Sequence, residues 1–135
     1  VTPLPLDKDD IGRLALRLGL GLTLLLHGLA KLTTPSLLTA IAHTLETAGL
    51  PAFLAYATLI AEIGGSLMIL LGWRARLGAL LVAAEIAAAI ALVPLSQVLS
   101  LRSNGGWTLE LPAMLLAGAA VIVLLGSGRL ALRPD

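Results

Sequence analysis

Five side chains stand out in this sequence as groups that could do chemistry where apolar residues otherwise prevail: His27, Lys31, Glu62, Trp107 and Glu110. An imidazole exchanges protons near neutrality, an ammonium binds anionic or carbonyl oxygen, carboxyls give or take protons, and an indole stacks on a flat ring. Together they suit a polar-headed lipophilic molecule that exchanges protons, as a quinone does. Glu62 carries most of this reading. With Thr58 and Ser66 four residues to either side and Gly65 beside them, it marks a polar face on an apolar helix, about 15 Å in from Ala52 by helical rise. A carboxylate stem is too short to reach water from that depth, so Glu62 must be protonated, paired with Lys31 or His27, or open to a polar cavity. Glu62 is therefore the expected catalytic residue. His27, Lys31, Trp107 and Glu110 are the expected ligand-binding residues.

Each has a plainer alternative. Lys31 can snorkel to headgroups, Trp107 can belong to an interfacial aromatic belt, and His27 can bond a backbone carbonyl. Glu85, set among alanines, can pair across a homo-oligomer interface, which is the ground for expecting a homo-oligomer. Arg17, Leu24 and Lys31 are seven apart, with His27 one turn before Lys31, so this stripe is expected to face the interior. No Rossmann glycine pattern, P-loop, haem motif or metal-ligand spacing appears, and His27 and His43 do not form a ligand pair. Nucleotide, haem and metal are accordingly not expected, and quinone is the expected cofactor.

Composition sets the elements that must position these groups. The chain has 135 residues, of which 58% are hydrophobic and 13% charged, against roughly 25% charged in a soluble domain. Its mean hydropathy of +0.98 calls for an integral membrane protein. A net charge of +1 without a basic tract, and the absence of cysteine, exclude a nucleic-acid module and a disulfide scaffold. With no thiol, any redox role must borrow its electron carrier. Stretches 11–32, 52–71, 77–98 and 107–125 are each close to the roughly 20 residues that cross a bilayer. The expected fold is all-α, an integral membrane four-helix bundle forming a single domain over 1–135. Asp7, Lys8, Asp9 and Asp10 precede the first run, the wrong layout for a cleaved signal, so the first helix is expected to stay in the mature protein.

Between the first two spans, Thr34 and Pro35 open an amphipathic helix with Leu37, Leu38, Ile41, Leu45 and Ala48 at helical spacing, stopped by Gly49 and Pro51. It is either a plain connection on the outer surface or a cover over the bundle mouth. Ala83, Ala87 and Ala91 in the third span, and Gly64 and Gly65 in the second, predict close helix contact. Pro94 and Pro112 predict kinks in the third and fourth. Lys8, Arg13, Arg17, Arg74, Arg76, Arg129 and Arg133 fall on one side, Lys31 and Arg102 on the other. The positive-inside rule then places both termini in the cytoplasm.

Several pieces of the sequence are family-like: Arg17 through Gly21, Gly28-Leu-Ala-Lys31, Gly49-Leu-Pro51, Glu62-Ile-Gly-Gly65, Leu71-Gly72, Gly105-Gly-Trp107-Thr-Leu-Glu110 and Gly126-Ser-Gly-Arg129-Leu. In this order they resemble the DoxX family of small four-span bacterial membrane proteins. The resemblance implies a four-helix membrane bundle in the bacterial inner membrane. It also implies association with soluble or membrane redox partners, relatives being described as subunits of quinone-reducing thiosulfate oxidation and as partners of superoxide-removing proteins. The resemblance singles out Lys31, Glu62, Trp107 and Glu110, whereas His27 rests on spacing alone. The family pattern often ends in Gly-Pro-Gly-Arg, where this chain has Ser127. Two functions follow: a redox-associated subunit that binds quinone in the outer half, possessing enzymatic activity only as part of an oxidoreductase, or a non-catalytic scaffold or small-solute carrier whose buried charges hold helices together.

Overall fold

A computed structural model describes residues 7–93 and 95–135, Leu95 by its backbone alone. Those residues form six helices: α1 (Lys8–Thr33), α2 (Pro35–Thr47), α3 (Leu54–Leu71), α4 (Ala75–Ala91), the short α5 (Leu95–Val98) and α6 (Glu110–Leu125). Local sequence sets their ends. Asp7 caps α1 by accepting from the Asp10 amide at 2.9 Å, and the Asp10 carboxylate reaches back to the Asp7 amide. Gly72 ends α3 in the left-handed conformation, φ 70°, which a glycine adopts without the steric cost of a Cβ. Pro35 stands at the first position of α2 as expected, but Thr34 makes no side-chain cap.

Two helices, α1 and α3, are long and apolar enough to cross a membrane, and α6 is a shorter apolar helix. The expected third span ends early: α4 stops at Ala91, and Leu92 and Val93 form a turn before α5. Pro94, to which a kink is ascribed above, lies outside the described residues. The expected fourth span starts late, at Glu110, because Leu101 and Trp107 pair across a hairpin instead. Pro112 then falls in the first turn of α6, where its missing N–H costs no helical bond and a kink has no cause.

α3 packs between α1 and α4, α6 closes against α4 and more loosely against α1, and α2 rests on α1 and α3. Glycines allow the closest approaches. A Cβ on Gly28 would lie 2.6 Å from the Ile63 side chain, and one on Gly65 would lie 2.9 Å from the Gly78 carbonyl. The alanine repeat serves this purpose only in part: Ala83 packs against the core, whereas Ala87 and Ala91 are exposed, and Gly64 meets nothing. Leu20, Leu24, Ile69, Val82, Ile86 and Ile122 fill the core. Leu22, Leu26, Ile60, Leu80, Met114 and Leu124 are each more than half exposed, an outer surface suited to lipid.

One end of the bundle is tied by Arg17, which is 1% exposed. Its Nε donates to the Ile69 carbonyl at 2.9 Å and Nη2 to Leu70 at 3.1 Å, while Nη1 donates to Ser127 at 3.1 Å and Leu130 at 2.6 Å. Ile69 and Leu70 close α3, where carbonyls lack helical partners and carry partial negative charge. The same guanidinium therefore joins α1, α3 and the C-terminal tail. Leu132 and Arg133 donate to the carbonyls of Leu71 and Gly72, and the Asp135 carboxylate accepts from the amides of Arg76 and Ser127. Arg17→Ala should lower unfolding stability in detergent by on the order of 3 kcal/mol, since several charge-assisted bonds are lost together. Arg17→Lys, lacking the planar fork, should recover only part of it in thermal denaturation. Unchanged stability in Arg17→Ala would contradict this role for Arg17.

Candidate functional site: a lysine between two carboxylates

At the opposite end, near α2, three helices bring one ammonium and two carboxylates together. Lys31 Nζ pairs directly with Glu62 Oε2, and Glu85 Oε1 lies 3.9 Å from the same nitrogen. Side-chain exposures of 17% for Lys31, 4% for Glu62 and 10% for Glu85 place the group away from bulk solvent. The glycine contacts explain how it forms. Gly28 is three residues before Lys31, and its partner Ile63 follows Glu62, so the close α1–α3 approach draws these side chains into reach. Gly65 meets Val82 and Gly78 in the same way on the α4 side, one turn from Glu62 and Glu85.

Two cavities flank the trio. The larger, about 400 Å³, lies between α2 and α4, which do not touch each other. Lys31, Glu85, Thr44 and Thr58 supply its polar lining; Ala40, Ile41, Leu45, Ala88, Ala89 and Leu92 supply the apolar part. The hydroxyls of Thr44 and Thr58 already donate to the carbonyls of Ala40 and Ala55, at 3.0 and 2.7 Å. Their oxygens remain able to accept. The smaller cavity, about 140 Å³, is lined by His27, Lys31, Glu62 and Glu85 together with Leu111 and Pro112 of α6. Among the described residues no group of three or more His, Cys, Asp or Glu side chains is placed to hold a metal ion.

The five residues singled out by sequence part company here. Lys31 and Glu62 meet, and the stripe Arg17, Leu24, Lys31 does face inward. His27 is exposed and touches only the smaller cavity; its Nδ1 bonds the Thr23 carbonyl at 2.8 Å, and must carry the proton because a carbonyl only accepts. Trp107 and Glu110 line neither cavity. The Trp107 indole donates to the Val98 carbonyl at the end of α5, and Ser100 and Thr108 of the hairpin bond each other. Glu110 is exposed on the first turn of α6, with its carboxylate against Gly106.

Glu85 is the site residue that sequence reasoning left out of the group. α4 stops six residues after Glu85, about 9 Å by helical rise, which sets it at the same end of the bundle as Lys31. Glu85 therefore lies 3.9 Å from Lys31 of its own chain. The usable signal was its type: an ionisable group in an alanine-rich helix marks a site by default.

A family model described as DoxX matches residues 12–95, more than half of the chain. The chain belongs to the DoxX family. Family and apolar helices together make it a membrane protein. The matched region holds Arg17, His27, Lys31, Glu62 and Glu85, while Trp107, Glu110 and the C-terminal tail lie beyond it. No curated protein and no solved structure matches the chain significantly.

In this DoxX protein the second carboxylate changes what a substitution at Glu62 should do. Glu62→Gln leaves Glu85 within reach of Lys31, so the loss of stability should be only about 1 to 2 kcal/mol, that of a hydrogen bond rather than an orphaned charge. The double variant Glu62→Gln/Glu85→Gln strands the ammonium and should lose about 3 to 5 kcal/mol. A double-mutant cycle in detergent reads the difference. Strict additivity of the two single losses would show that Lys31 does not exchange partners.

Proposed function

We propose that this DoxX-family protein is a subunit of the bacterial inner membrane that binds a quinone or a similar lipophilic molecule beside Lys31 and Glu85, in association with a soluble or membrane redox partner. The observation that carries this reading is the cavity of about 400 Å³ between α2 and α4. Ligand pockets of roughly 300 to 1,000 Å³ are mostly apolar with a few placed polar groups, and this one has apolar walls and Lys31, Glu85, Thr44 and Thr58 near its polar end. Lys31 would donate to a head-group oxygen; Glu85 would accept from or donate to one. The threonine oxygens would accept from a hydroxyl. α2 supplies one wall, in keeping with a covering role. A bound quinone would supply coupled electron and proton transfer, with electrons drawn from the partner, since the chain has no cysteine and no carrier motif.

Four helices, α1, α3, α4 and α6, would span the bilayer. α4 and α6, with 17 and 16 residues, rise only about 25 Å, so they would rely on flanking segments or local thinning to match a core of about 30 Å. The basic residues support cytoplasmic termini: Arg17, Arg76, Arg129 and Arg133 all touch or belong to the tail end. Reporter fusions at Asp135 and at Ala42 should report opposite compartments, with Asp135 inside; export of the Asp135 fusion would reverse the orientation.

The scaffold reading draws on a different observation, the direct Lys31–Glu62 pair, which could serve to hold α1 and α3 together. Ala88 separates the two readings, because it is exposed, lines the larger cavity and is not part of the charged trio. Protein isolated with its native lipid should release a quinone or another enriched lipophilic compound on solvent extraction, identified by mass spectrometry. Ala88→Phe should reduce the yield several-fold at unchanged thermal stability. Equal yields from both proteins, or no enrichment in either, would leave the scaffold.

A further inference from the structure

The charged trio does not balance. α1 contributes Lys31 and, at the edge of the smaller cavity, His27; α3 contributes Glu62; α4 contributes Glu85. The facing residues of α2, among them Ile41 and Thr44, and those of α6, Leu111 and Pro112, carry no charge. His27 is turned to its own helix carbonyl and makes no ion pair among the described residues. One ammonium thus stands against two carboxyls, and a second carboxylate in an apolar interior is costly enough to take up a proton instead.

Geometry separates the two carboxyls. Glu62 is the more buried and holds the direct bond to Lys31, so its charge is matched. Glu85 stands 3.9 Å from the ammonium, makes no hydrogen bond among the described residues, and lines both cavities. We propose that Glu85 is a proton-binding site, a neutral acid beside the Lys31–Glu62 pair that exchanges its proton through the larger cavity. This rests on the trio alone, whatever the cavity holds. If a quinone-like head is bound there, Glu85 is the group that passes it a proton.

A lipophilic carbodiimide tests the assignment, because it reacts with the acid form of a carboxyl. The proton moves to a carbodiimide nitrogen, the carboxyl oxygen bonds the central carbon, and rearrangement gives a stable N-acylurea carrying the whole reagent. The full chain in lipid nanodiscs is treated with dicyclohexylcarbodiimide across a pH series, and peptide masses locate the adduct. Labelling should fall on Glu85, several-fold above Glu62, and decline as pH rises. Glu62→Gln should suppress it several-fold, because Lys31 is then free to pair with Glu85 and hold it ionised. Adducts on Glu62 instead, adducts on neither, or Glu85 labelling unchanged in Glu62→Gln would overturn the proposal. Successful labelling without an extractable ligand would keep the proton site and reject the occupant; the reverse would reject the site alone.

Discussion

A charge inside an apolar helix bundle has no water to turn to, and the two inward cations of α1 are answered by partners from other segments of the chain. α1 carries the two demanding cations on one face, seven residues to either side of Leu24. At one end Arg17 spends its planar fork on four backbone carbonyls, two closing α3 and two in the C-terminal tail. At the other, Lys31 has carboxylates rather than carbonyls, one in direct contact and one at 3.9 Å. The first arrangement commits four of the five guanidinium N–H donors to backbone carbonyls and is structural. The second has a group left over, which is what a site requires.

The position of that leftover group follows from backbone packing. Gly28 against Ile63, and Gly65 against Gly78, set α1, α3 and α4 close enough for Lys31, Glu62 and Glu85 to meet. α2 rests on α1 and α3 and not on α4, so the space beyond Glu85 stays open. The alanines at 88 and 89 keep that space wide, a different use of small residues from the contact that their spacing suggests.

Much of the fold is legible in the sequence, because hydropathy marks α1, α3 and the body of α6, and helical spacing between Thr34 and Gly49 marks α2. The ends are less so. Leu92 and Val93 continue the apolar run past Ala91, where α4 stops, so hydropathy does not mark that end. Trp107 and Glu110 look like site residues because they are polar-edged groups beside an apolar run. Asn104, Gly105 and Gly106 are the turn signal that instead places Trp107 in a hairpin, where the Arg102 amide donates to the Gly106 carbonyl at 2.6 Å. Lys31 and Glu62 are recoverable from depth and charge. The Arg17 network is not, since its acceptors are backbone atoms more than fifty residues away, and no side-chain pattern encodes them.

The proposed function requires the space between α2 and α4 to receive the head of a lipophilic molecule next to Lys31 and Glu85. Photo-crosslinking the protein in nanodiscs with an azido-quinone analogue, followed by peptide mapping, tests it most directly. Adducts are expected within 40–45 of α2 and 88–91 of α4 or at Leu92, abolished by excess unlabelled quinone. Adducts confined to the α1–α6 seam, or ones that excess quinone fails to remove, would contradict it.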